Sequence, residues 1–191
     1  GTKAFSTGND LKFHAENIRP GEPYPDAERY PFGGITMGFT CWKPIVAAVN
    51  GYALGGGLEL MLACDLAIAA ESAMLGLPEV ESGVVATAGG TQRLPRQIPQ
   101  KIALGMLLTG KPITAQEAYR LGLVNDVVRD EDLLEVTQAW ADRIVKCAPL
   151  SIRATKQMAT LGVHQPLQTA LNMRYSELDL ALESKDYQEG P

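Results

Sequence analysis

The 191-residue chain, 46% hydrophobic and 20% charged, can bury a substantial core and has the balance of an ordinary globular protein. Its formal net charge of −5, with acids and bases mixed along the sequence, supplies no basic stripe and excludes a nucleic-acid binder that works by neutralising phosphates. No apolar run reaches the length of a membrane span, because Asp65 interrupts the longest one.

The chain opens on "GTKAFSTGND" without a Met, as a sequence would that starts partway through a domain. Between Glu16 and Gly38, Pro20, Pro23, Pro25 and Pro31 are interspersed with glycines and charges. This segment is too punctuated for regular structure and is either a solvated insertion or a loop that covers a substrate. "IVAAVN" (45–50), bounded by Pro44 and Gly51, predicts a buried strand, and Leu58–Ala63 a short helix. "LAIAAE" (66–71) predicts a second buried strand. "GGTQRLPRQI" and "QKIALGMLLTG" predict two helices, the second closed by Gly110. Thr114 with Glu117 predicts a capping box for a helix that ends at Gly122, and "LVNDVV" (123–128) a further strand. Only helices follow. Asp130 is placed to cap one that runs to Cys147, Pro149 starts another, and 166–184 makes a third. The sequence therefore predicts an α/β part, residues 1–111, and a mainly helical part, residues 112–191.

Chemistry concentrates in "NGYALGGGLELMLACD" (50–65). Gly55, Gly56 and Gly57 lie after a strand and at the start of a helix. Backbone N–H groups there point outward with the helix dipole behind them, which suits an anionic oxygen. Triple glycine serves equally where one backbone packs closely on another, so this reading stays open. Glu59 follows among Leu58, Leu60, Met61 and Leu62. A carboxyl in that company either complements the helix dipole or has a raised pKa suited to proton transfer. Glu79 comes directly after Pro78, whose fixed backbone aims the next side chain, and Glu81 is its nearest substitute. Two carboxyls in apolar settings can divide acid and base work. His14 and His164 are the only histidines, too few for a His-rich metal site, and no metal site is expected. Neither a GxGxxG fingerprint nor a phosphate loop is present. Cys41, Cys64 and Cys147 form no CxxC pair, which points to reduced thiols in cytoplasm or an organelle matrix.

Four ordered blocks carry a resemblance. "KAFSTGNDLK", "NGYALGGGLELMLACD", "GLPEVESGVVATAGGTQRLPR" and "LTGKPITAQEAYRLGLVNDVV" together resemble the enoyl-CoA hydratase/isomerase family, the crotonases. The resemblance implies a spiral of repeated ββα turns with a C-terminal helical region used for trimers, often doubled to hexamers. It implies an acyl-CoA thioester as substrate and no cofactor, since coenzyme A enters as part of that substrate. The thioester oxygen would accept from the N–H groups of Asn9 and Gly56, and Glu59 and Glu79 would hold and add a water. Asn9, Asp10, Leu11 and Lys12 match the stretch that contacts coenzyme A, with Lys12 as a phosphate partner. Ala86 and Thr87 depart from the family's frequent Pro-Gly or Pro-Asp. The proline-rich loop and "PFGGIT" resemble the carnitinyl-CoA dehydratase branch. Isomerase activity, and acyl-CoA binding without turnover, are the further alternatives. The cytoplasm and the mitochondrial or peroxisomal matrix are the expected compartments. Members near 260 residues also have segments before and after this chain, so both are expected here.

Overall fold

The structure, a computed structural model, describes residues 1–17 and 32–189. Residues 18–31, the middle of the proline-rich segment, lie outside the described residues, and so does its expected role.

The strands are short and parallel pairing makes them work. β1 (Ala4–Ser6), β3 (Tyr52–Leu54), β5 (Met74–Gly76) and β6 (Ile113–Thr114) form one sheet in that order. β2 (Val46–Val49), β4 (Leu66–Ala70) and β7 (Asp126–Val128) form a second, wholly parallel sheet. From β1 to β5, consecutive strands thus go to alternate sheets. Val46 pairs with Leu66 in one and Tyr52 with Met74 in the other, so each turn of chain lays one strand on each sheet. The helices α2 (Gly56–Ala63) and α3 (Gly90–Gln97) each follow such a strand pair, giving the ββα spiral. β4 lies between two neighbours and is buried almost throughout, which is why it reads as an unbroken apolar run. β2, on an edge, alternates between buried and half-buried residues. Val49, Leu58, Leu75, Leu77 and Leu94 form the centre of the core.

Beyond α3 come α4 (Gln100–Thr109), α5 (Ala115–Arg120), α6 (Leu133–Val145), α7 (Pro149–Gly162), α8 (Leu167–Asn172), α9 (Ser176–Leu182) and α10 (Lys185–Glu189); α1 (Leu11–Asn17) precedes β2. Gly110 closes α4 in the left-handed conformation, and Thr114 Oγ1 accepts from Glu117 N–H at 3.2 Å, so both predicted helix boundaries stand. The chain forms two compact units, residues 1–39 with 46–137, and residues 40–45 with 138–191. The expected boundary near residue 112 therefore moves to about Thr137, because β6 and β7 tie residues 113–128 into the sheets. Asp130 does not cap α6. Its carboxylate accepts from the backbone N–H and the hydroxyl of Ser72, and a 3₁₀ turn (Asp130–Asp132) precedes the helix. The third predicted helix, 166–184, is two helices joined by extended Met173–Tyr175. Within that unit the Gln157 carbonyl accepts from Glu177 N–H at 2.9 Å and its amide donates to Ser176 Oγ at 3.0 Å. Arg153 Nη2 donates to Glu177 Oε1 at 2.9 Å and stands 2.7 Å from Oε2, a charge contact without hydrogen-bond geometry. This buried polar cluster on α7 fixes the start of α9. Among the described residues no helix is long and apolar enough to cross a membrane.

Candidate active site

The site grows from the start of α2. Gly55 has φ 55 and ψ −128, a conformation that side chains oppose, and its carbonyl accepts from Glu59 N–H to close the first helical turn. The chain thereby enters the helix abruptly from β3. The next residue, Gly56, faces Gly8: a Cβ on Gly8 would lie 2.8 Å from the Gly56 nitrogen, and one on Gly56 would lie 3.2 Å from Gly8 Cα. Only two bare backbones fit there. Asn9 follows Gly8 directly, so the two expected donors sit on adjoining segments. Among the described residues neither the Asn9 N–H nor the Gly56 N–H donates to a protein acceptor. Phe32, which sequence reasoning missed, covers Gly56; a Cβ there would meet the ring at 2.5 Å.

Glu59 lies in the first turn of α2 and is only 4% exposed. Its Oε1 accepts from Gly90 N–H at 2.8 Å, at the first residue of α3. Burial raises its pKa; the amides of Gly90 and Ala88 and the charge of Arg93 act in the opposite direction. Glu79 comes from the 3₁₀ turn Pro78–Ser82, where Pro78 occupies the first helical position. Its carboxyl lies against Gly55, with Oε1 3.3 Å from where a Cβ would stand. Among the described residues its buried Oε2 has no hydrogen-bond partner. Burial is the main cause that raises the Glu79 pKa, its own backbone N–H counters this, and the charge of Glu59 raises it further. The two acids therefore feel each other, although twenty residues of chain separate them.

The remaining expected residues divide. Asp10 is exposed, and its carboxylate accepts from Lys12 N–H at 2.9 Å and Phe13 N–H at 3.1 Å, so it caps α1. Leu11 is the first residue of that helix, and Lys12 is exposed on it. Ala86 is buried against Gly90, close to the spot that the Glu59 carboxyl also faces, whereas Thr87 is exposed. Sequence reasoning also missed Gly90 and Arg93. The paired glycines at the head of α3 were a visible signal, but nothing local connects them to Glu59.

A buried carboxyl and a half-buried one beside converging backbone N–H groups suit proton transfer next to a carbonyl whose oxygen gains negative charge. A ββα spiral that carries such a site defines a class. The chain belongs to the enoyl-CoA hydratase/isomerase family, whose pattern matches residues 1–191. It is 43% identical over 198 residues to (E)-benzylidenesuccinyl-CoA hydratase of Thauera aromatica, covering 100% of this chain and 73% of that protein. Carnitinyl-CoA dehydratase of Salmonella typhi is 42% identical over 197 residues, covering 100% and 74%. The solved structure of enoyl-CoA hydratase EchA1 from Mycobacterium marinum superposes with a TM-score of 0.86 at 37% identity, covering 100% of this chain and 72% of that one.

Proposed function

We propose that the chain is a hydro-lyase that adds water reversibly across the 2,3 double bond of an enoyl-CoA thioester, with Glu59 as base and Glu79 as acid. What carries this reading is the unequal surroundings of the buried Glu59 carboxyl and the half-buried Glu79 carboxyl. Glu59 accepts from Gly90 N–H and lies near the Arg93 charge, both of which favour its carboxylate. Glu79 has a buried Oε2 without a partner and a like charge nearby, both of which favour its protonated form. Environments that separate two titratable groups assign them opposite roles. Glu59 takes a proton from water as the hydroxide adds to C3. The electron pair moves onto the thioester oxygen, which the N–H groups of Asn9 and Gly56 receive, and Glu79 protonates C2. Transfer of the proton from Glu59 back to Glu79, through solvent, restores the starting state.

Coenzyme A enters as part of the substrate, and Lys12, exposed on α1, is suited to one of its phosphates. The similarity to proteins named benzylidenesuccinyl-CoA hydratase and carnitinyl-CoA dehydratase favours a second reading, in which the acyl group is bulky or polar and dehydration is the working direction. Exposed apolar residues on the helical unit, among them Val163, Leu167 and Leu171, support assembly as a homotrimer or a dimer of trimers.

Glu59→Gln and Glu79→Gln each lower turnover of crotonyl-CoA, followed by loss of its enoyl absorbance, by about 100-fold or more. Both leave acyl-CoA affinity within a few-fold of wild type. Near wild-type turnover by either folded variant would refute the assignment.

A further inference from the structure

The group that joins the parts of this site is neither of the two acids. Arg93 lies on α3, one turn after Gly90, and its guanidinium is forked between two segments. Nη2 donates to the carbonyl of Thr36 at 2.6 Å and Nη1 to that of Ala88 at 3.3 Å. Gly89, at φ 110, leaves room for the end of the guanidinium, since a Cβ there would come within 1.9 Å of Nη1. Ala88–Gly90 is the turn that supplies the hydrogen bond to Glu59. Thr36, fully buried, donates its hydroxyl to the carbonyl of Phe32 at 2.8 Å, and the Phe32 ring covers Gly56. Among the described residues Arg93 forms no ion pair within 4.0 Å. A guanidinium held by carbonyls alone keeps its charge available to the nearest buried carboxylate.

We propose that Arg93 is a positioning residue of the reaction: its two hydrogen bonds pin the Ala88–Gly90 turn that holds Glu59 to the Phe32–Thr36 segment that covers Gly56. One side chain thereby sets the base and the bed of the oxyanion together. The inference rests on the reading of Glu59 as the base. The charged groups that face Glu59 are Arg93 from α3 and Glu79 from the Pro78–Ser82 turn. Of the other elements packed on α2, β1 and the Phe32–Gly34 turn carry no acid or base, and β3 carries only Tyr52, half exposed. Removing Arg93 removes the only cation of this set, so Glu59 must hold its proton to higher pH.

The test pairs Arg93→Met with Arg93→Lys. The carboxyl carbon of Glu59, assigned by its loss in Glu59→Gln, is followed by NMR across a pH titration of the intact protein without substrate; kcat and KM are measured beside it. Arg93→Met raises the Glu59 midpoint by about one pH unit, as loss of a nearby opposite charge does. It also lowers kcat at neutral pH by about 10-fold or more, with KM little changed. Arg93→Lys keeps the midpoint near that of wild type but still loses turnover, because an ammonium does not reproduce the planar fork. A folded Arg93→Met with an unmoved midpoint overturns the proposal, as does an Arg93→Lys variant that turns over like wild type. If Arg93→Met does not fold, Arg93→Lys decides. A wild-type protein inactive on every enoyl-CoA would sink the hydratase reading alone and leave the titration to judge Arg93.

Discussion

Glu79 holds its proton more tightly in the folded chain than its ordinary value of 4.5 allows, chiefly because it is buried. The sign of the stability consequence follows. Below the unfolded value both states are protonated and burial of the neutral carboxyl costs little. As pH rises through that value towards the folded one, the unfolded chain releases its proton first, and the folded state loses stability that it does not regain at higher pH. Glu79→Gln removes this penalty. It should raise Tm by a few degrees at about pH 8 and leave it nearly unchanged at about pH 4, as thermal unfolding at the two pH values would reveal. A variant that stabilises the fold while abolishing turnover is the usual mark of a strained functional group. An equal rise in Tm at both pH values would assign the gain to packing instead. Asp10 makes the opposite point. It lies in the stretch expected to touch coenzyme A, yet its carboxylate is engaged with the first N–H groups of α1, so it holds Lys12 in place through the helix.

At the scale of elements, the start of α2 serves as both turn and donor. Proline is tolerated at the first position of a helix, where its missing N–H has no helical partner. Gly56→Pro is therefore compatible with α2 but deletes the proposed donor. Any side chain at that position also meets the Phe32 ring and Gly8. Gly56→Ala, which retains the N–H and carries the same Cβ, is the control. The proline variant should fall a further 100- to 1,000-fold or so below the alanine variant in kcat, the usual cost of one oxyanion donor. Circular dichroism checks that both are folded. Equal activity in the two would mean that Gly56 N–H does not reach the thioester oxygen. The break between α8 and α9 is set in a similar way, since the buried Gln157 side chain supplies the N-terminal partner that α9 lacks in its own sequence.

For the whole molecule, the apolar residues that are left exposed carry the argument. Val145, Val163, Leu167 and Leu171 are between 68% and 80% exposed. Scattered apolar residues are ordinary on a monomer, but this many on the helices of one small unit are what association would bury. Light scattering should return the mass of a trimer or of twice a trimer at micromolar concentration. Leu167→Asp with Leu171→Asp should shift the mass downward while far-ultraviolet dichroism is retained. A monomeric wild type would overturn the proposed assembly.

The amino-acid sequence makes the α/β character and the two carboxyls legible, because apolar runs such as residues 66–70 and acids among leucines are local signals. It also determined the helix boundaries at Gly110 and Thr114, where capping chemistry lies within a few residues. The pairing of β3 with β5 emerges only in the folded chain. Each strand has three residues, too few for a period of two to register, and parallel partners lie a full turn of the spiral apart. The same reason hid Gly90, Arg93 and Phe32. Glu59 receives its hydrogen bond from a residue 31 positions away, Arg93 reaches Thr36 across 57, and such contacts exist only once the spiral has closed. The sequence carried the two acids, and packing decided what surrounds each of them.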